Sequence, residues 1–110
     1  MIKPGKNIAI KVPSFKWAET VKFYDEKVGL RVTHKTSETV AFEFGEMTLW
    51  IDRVANQSQT DVWLELATPS PEKALKILES PERPELEKIE DGNGRWTSDP
   101  AGVVLLLRNE

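Results

Sequence analysis

The sequence predicts an α+β protein built from two similar β-α-β-β-β modules, and three observations carry that prediction. First, the chain resembles itself at an offset of 54 positions: Ile8, Ile10 and Val12 fall on Val62, Leu64 and Leu66. At the same offset Val21, Lys22, Phe23 and Tyr24 fall on Leu75, Lys76, Ile77 and Leu78. Second, each half opens with apolar residues at alternate positions, the mark of a half-buried strand, and passes into helical spacing. Third, each helical stretch is followed by three strand-like runs joined by short polar or glycine turns.

In chain order, the first strand carries Ile8, Ile10 and Val12. The first helix runs from about Lys16 to Val28, with Ala18, Val21, Phe23 or Tyr24, and Val28 at helical spacing. Phe23 and Tyr24 are expected to anchor it on the sheet, and Gly29 stands where a left-handed C-cap belongs. LRVTHKT, TVAFEFG and MTLWIDRV follow as strands, broken at Ser37-Glu38 and Gly45-Glu46. The polar stretch ANQSQT, residues 55–60, links the halves. In the second half Ser70 is the N-cap, Pro71 suits the first helical position and Glu72 favours the dipole. Pro81 and Pro84 prevent that helix from continuing. ELEKIE, GRWTS and GVVLLLR are then read as strands, joined by the hairpin signal Asp91-Gly92-Asn93-Gly94 and by Asp99-Pro100-Ala101-Gly102, which suits a type I turn. The expected organisation is a single domain, 1–110, with modules at about 1–54 and 60–110.

Composition narrows the function classes. A chain of 110 residues, 39% hydrophobic and 30% charged, is an ordinary globular domain able to bury a core. Its net charge of −3 offers no electrostatic case for nucleic acid or an anionic membrane as partner. The longest apolar run, Val103 to Leu107, is strand-sized, far below the roughly 20 residues of a membrane span. MIKPGKNIAI has no apolar signal core and the chain has no cysteine, so a cytoplasmic protein without disulfides or thiolate metal sites is expected. No G-x-S-x-G elbow occurs, and Gly92-Asn93-Gly94 joins strands rather than opening a phosphate-binding helix. His34, the one histidine, sits near a strand end and reads as a surface residue.

Three stretches make the pattern more specific: IAIKVPSFKWAETVKFYDEKVGLRV, FEFGEMTLWI and WTSDPAGVVLLL. In this order and spacing they resemble the vicinal oxygen chelate superfamily, which groups glyoxalase I, extradiol dioxygenases and the fosfomycin- and bleomycin-resistance proteins. The resemblance implies half-barrel modules that pair around a concave ligand site. One strand phase, with Ile8, Ile10, Val12, Val40, Phe42, Phe44, Val62 and Leu64, would contact the helices. The other phase would face the ligand, and the candidate cleft residues are Lys11, Glu43, Trp50, Asp52, Trp63, Glu65, Leu106 and Arg108.

The resemblance also implies metal-ligand positions, which fall by motif on Asn7, Trp50, Asp61 and Leu106. Only Asp61 is a competent anion, since tryptophan and leucine have no donor and an asparagine oxygen is a weak substitute. No metal cofactor is therefore expected, and no catalytic residue is read. Trp17 belongs with the core and Trp96 at a rim, while Trp50 and Trp63 either line the cleft or fill a core or interface. The function that follows is a metal-independent protein, similar to the bleomycin-resistance branch, binding a small aromatic or cationic molecule as a homodimer. The alternative is a metal-dependent lyase or dioxygenase using Asp61 with a displaced carboxylate, and an accessory domain with a vestigial cleft is a third reading.

Overall fold

The computed structural model describes residues 1–89 and 93–110. It is α+β, with seven strands among the described residues: β1 (Lys3–Pro13), β2 (Val32–Lys35), β3 (Thr39–Phe44), β4 (Met47–Val54), β5 (Asp61–Thr68), β6 (Gly94–Ser98) and β7 (Val104–Asn109). Two α-helices, α1 (Ser14–Lys22) and α2 (Pro71–Leu78), follow β1 and β5. The chain divides into two compact units, Asn7–Val62 and a second made of Met1–Lys6 with Trp63–Glu110. No helix of the described residues is long and apolar enough to cross a membrane.

In the first unit the strand order is β2-β3-β4-β1. β1 and β4 run parallel, paired from Asn7↔Thr48 to Pro13↔Val54, while β3 pairs antiparallel with both β4 and β2. Alternation then places Val12, Val40, Phe42, Leu49 and Ile51 in one buried cluster, with Ile8, Ile10, Trp17, Val21, Tyr24 and Leu30 packed on it. Helix α1 is held there by Trp17, whose indole N–H donates to the Ile51 carbonyl at 2.9 Å. Phe44, assigned by sequence to the same phase, lies beside the hairpin turn and is exposed.

The predicted first helix changes character at its end. After Lys22 the chain widens into a π-helical segment, Phe23–Val28, and stops at Gly29 with φ 81°. The N–H groups of Gly29 and Leu30 both donate to the Tyr24 carbonyl, at 3.1 and 3.0 Å. Tyr24 meets Phe42 with ring centroids 6.2 Å apart. Phe23 does not share the anchoring role expected of it: it is 52% exposed and reaches only the edge of Tyr24, because neighbouring helical positions cannot face one sheet together.

In the second unit the order is β1-β5-β7-β6, β1 contributing its opening residues. β5 and β7 are parallel, and β7 pairs antiparallel with β6. The expected caps of α2 are present: the Ser70 side chain accepts from the Lys73 N–H at 3.3 Å, and Pro71 opens the first turn. α2 packs mainly on β6 and β7, burying Ala74 and Leu107, so Leu64 on β5 stays exposed. The Asp99–Gly102 turn closes with Gly102 N–H on the Asp99 carbonyl at 3.0 Å, and the Asp99 carboxylate accepts from Ala101 and Val103.

ELEKIE is not a strand over its described residues, 85–89. Only a bridge between Arg83 and Trp96 remains, preceded by Thr97 Oγ1 donating to the Pro81 carbonyl at 2.8 Å. Pro81 and Pro84 lack the N–H groups that a ladder needs on either side of Arg83. Residues 90–92, with most of the expected Asp91-Gly92 turn, lie outside the described residues.

The packing asymmetry of the aromatic pair is testable by denaturant unfolding. Phe42→Ala, at a fully buried position, is expected to cost about 3–5 kcal/mol, whereas Phe23→Ala should cost less than about 1 kcal/mol.

Candidate functional site

On the face of the first unit opposite α1, the pairing registers align side chains in rows. Ala9 and Ala41 are the direct neighbours of Trp50 on either side, and His34 is the next residue along, opposite Ala41. Trp50 is half-buried, and its indole N–H donates to Asn7 Oδ1 at 2.8 Å. The His34 ring meets it edge-on, with centroids 5.8 Å apart. Small residues thus flank a large ring whose orientation the Asn7 bond holds; Ala41 is fully buried and Ala9 half-buried.

The adjoining row is Lys11, Asp52 and Thr39. Lys11 Nζ lies 2.6 Å from Asp52 Oδ2, with the two side chains 3% and 21% exposed. An ammonium that deep needs its counter-charge, which Asp52 supplies directly across the parallel pair. The Thr39 hydroxyl donates to the other Asp52 oxygen, and the Gln57 amide donates to the Lys11 carbonyl at 2.8 Å. Glu43 is exposed and accepts from Arg31 Nε at 2.7 Å.

The second unit presents a different surface. Glu65 is buried and accepts from the Lys6 backbone N–H and from Arg108 Nε, both at 2.9 Å. A Cβ at position 5 would lie 2.5 Å from Glu65 Oε1 and 2.6 Å from its Cγ, so Gly5 is what lets this carboxylate cross the strand. Trp63 stands edge-on to Trp96 at 5.4 Å. Both belong to an apolar cluster with Ile89, Val104, Leu86 and Leu106, so Trp96 is buried rather than placed at a rim. The segment read as a strand thus supplies Leu86 and Ile89 as a cover for this face.

The candidate residues therefore separate. Lys11, Glu43, Trp50 and Asp52 gather on the first unit's face, while Glu65 and Arg108 form an ion pair in the second and Trp63 and Leu106 enter its core. Asp61 is exposed at the start of β5. Sequence reasoning passed over Asn7 as the anchor of Trp50, Thr39 as a partner of Asp52, and His34 as its aromatic neighbour. Each contact spans strands, so only the pairing register reveals it.

The residues do not fit the metal that the superfamily resemblance implies. Asn7 Oδ1 is engaged by Trp50, neither Trp50 nor Leu106 has a donor, and Asp61 stands in solvent. Among the described residues no three histidine, aspartate or glutamate side chains converge.

No protein-family model matches the sequence, nor does any curated protein. Among solved structures, homoprotocatechuate 2,3-dioxygenase from Arthrobacter globiformis is similar with a TM-score of 0.65 and 22% identity, over 99% of this chain and 36% of that one. A variant of the same enzyme from Brevibacterium fuscum gives a TM-score of 0.64 and 16% identity, over 99% of this chain and 33% of that one. The chain thus spans about a third of these dioxygenases and has the vicinal oxygen chelate type of fold that its sequence resemblance implied.

Removing one member of the Lys11–Asp52 pair should be much worse than removing both. Asp52→Asn is expected to cost about 3 kcal/mol in urea unfolding by stranding the ammonium, and Lys11→Met in the same chain should recover most of that loss.

Proposed function

We propose that the protein binds a planar aromatic small molecule on the Trp50 face of the first unit, without a metal and without catalysing a reaction. The observation that carries the reading is the setting of Trp50: an indole anchored through its N–H by Asn7 and flanked by two alanines, on the face away from the helix core. A ligand ring stacked there replaces water on an apolar surface and gains the offset or edge contacts that aromatic pairs prefer. Asp52 and Glu43 are already neutralised by Lys11 and Arg31, so a simple cation would have to displace a partner from either carboxylate. Stacking, rather than charge, is the attraction this face offers a cationic aromatic.

A metal-dependent lyase or dioxygenase is the contrasting reading. It draws on the fold of the dioxygenase neighbours and would need ligands that the resemblance positions lack. We also propose a cytoplasmic homodimer, supported by the apolar side chains left exposed, among them Phe15 at 71% and Ile77 at 59%.

Titrating a panel of neutral aromatic probes should quench tryptophan fluorescence. Trp50→Ala should weaken binding several-fold, in line with stacking of about 1 kcal/mol, and leave the fold intact. No quenching by any probe, or one bound metal per chain in protein purified without chelator, would overturn the reading. Sedimentation at micromolar concentration should give twice 12.5 kDa, and a stable species of 12.5 kDa would refute the dimer.

A further inference from the structure

Strand β2 contains one irregularity, and it decides where the only histidine goes. Val32 pairs with Phe42, but the next pair is His34 with Ala41, so Thr33 and His34 together oppose a single residue. The Thr33 hydroxyl donates to the same Ala41 carbonyl at 3.3 Å. In an uninterrupted antiparallel ladder His34 would stand opposite Val40, a fully buried residue of the helix-side core. The extra residue shifts it by one place onto the opposite face, beside Trp50. Re-aiming a side chain in this way is a recurrent use of β-bulges.

The charges around His34 are compensated. Glu43 on β3 is held by Arg31, and Asp52 on β4 by Lys11 from β1. Lys35, next to His34 on β2, pairs with Val40 and so belongs to the other face. The His34 imidazole has no hydrogen-bond or ion-pair partner among the described residues, only its edge contact with Trp50. Two cations and two anions on this face are thus already paired with one another.

We propose that His34 selects the ligand of the Trp50 face by donating a hydrogen bond to an anionic oxygen, a carboxylate or an ionised hydroxyl, carried on the stacked aromatic ring. The inference rests on the stacking reading above and adds the class of substituent to it. An imidazole suits the task because it gains a proton within the physiological range, and a charge-assisted bond to an anion is stronger than a neutral one. An ammonium substituent is disfavoured twice, by the imidazolium and by carboxylates that already have partners.

The test uses benzoate, benzamide and benzylammonium with the full ¹⁵N-labelled chain. NMR follows the four tryptophan indole N–H signals and the single histidine ring. Benzoate stays ionised over the range used. Its affinity should rise about tenfold from pH 8 to pH 5.5, and it should move the His34 titration upward. His34→Ala, at an exposed position that folding tolerates, should abolish the pH dependence for benzoate, while benzamide binding should not vary with pH in either protein. Benzamide binding at Trp50 together with benzoate binding that ignores both pH and His34→Ala would overturn the inference and leave the stacking reading standing. A preference for benzylammonium would overturn it equally. If none of the three probes perturbs the Trp50 signal, both fall together.

Discussion

Parallel pairing of β1 with β4 is the constraint on which the first unit depends. The register from Asn7↔Thr48 to Pro13↔Val54 commits alternate residues of both strands to opposite faces. Because the side-chain period is two, a slip by one place would send Ile51 to solvent and Trp50 into the helix core. The same pairing brings Lys11 beside Asp52 and Ala9 beside Trp50, so core, ion pair and aromatic surface share one cause. The Lys11–Asp52 pair also resists such a slip, since its buried ammonium would lose its counter-charge.

The second unit repeats this arrangement with the polarity reversed. There a buried carboxylate, Glu65, is met by a partly exposed guanidinium, Arg108, across the parallel β5–β7 pair. Each unit thus carries an acid–base pair with one member deeply buried, on the side away from its helix. The difference lies in what covers that side. In the second unit Leu86, Ile89 and Trp96 pack over Trp63, Val104 and Leu106 and turn the surface into a core. In the first unit Trp50 remains half-buried, and the neighbour brought to it is a histidine on a strand bulge. Similar topology therefore supports two different surfaces, one covered by its own chain and one on which Trp50 stays half-buried.

The misfit with the metal positions that the resemblance implies has a simple chemical content. Where the resemblance implies a metal ligand, Trp50 places an apolar ring and Asn7 gives its oxygen to that ring's N–H. The two residues work together, since the asparagine satisfies the one polar group that a half-buried indole brings with it. A shared type of fold does not by itself carry a neighbour's chemistry, which depends on the side chains placed on the strands.

Much of the fold was legible in the residues alone. Alternation located the strands, Gly29 and Ser70 marked helix ends, and Asp99-Pro100-Ala101-Gly102 specified its turn, because these are local properties of period and backbone conformation. The same local logic failed at ELEKIE, where Leu86 and Ile89 mark a covering segment packed on Trp63 and Trp96 rather than a strand paired in the sheet. It also could not separate Phe23 from Tyr24, which differ only in which one the sheet receives. The candidate site was legible in part: Trp50, Lys11 and Asp52 follow from strand phase. Their partners did not follow, because Asn7, Thr39 and His34 reach them across strands. A bulge of one residue, which alternation cannot anticipate, decided that His34 shares a face with Trp50. Periodicity is written along the chain, whereas register and bulges arise only when separate strands meet, and they settle which side chains become neighbours.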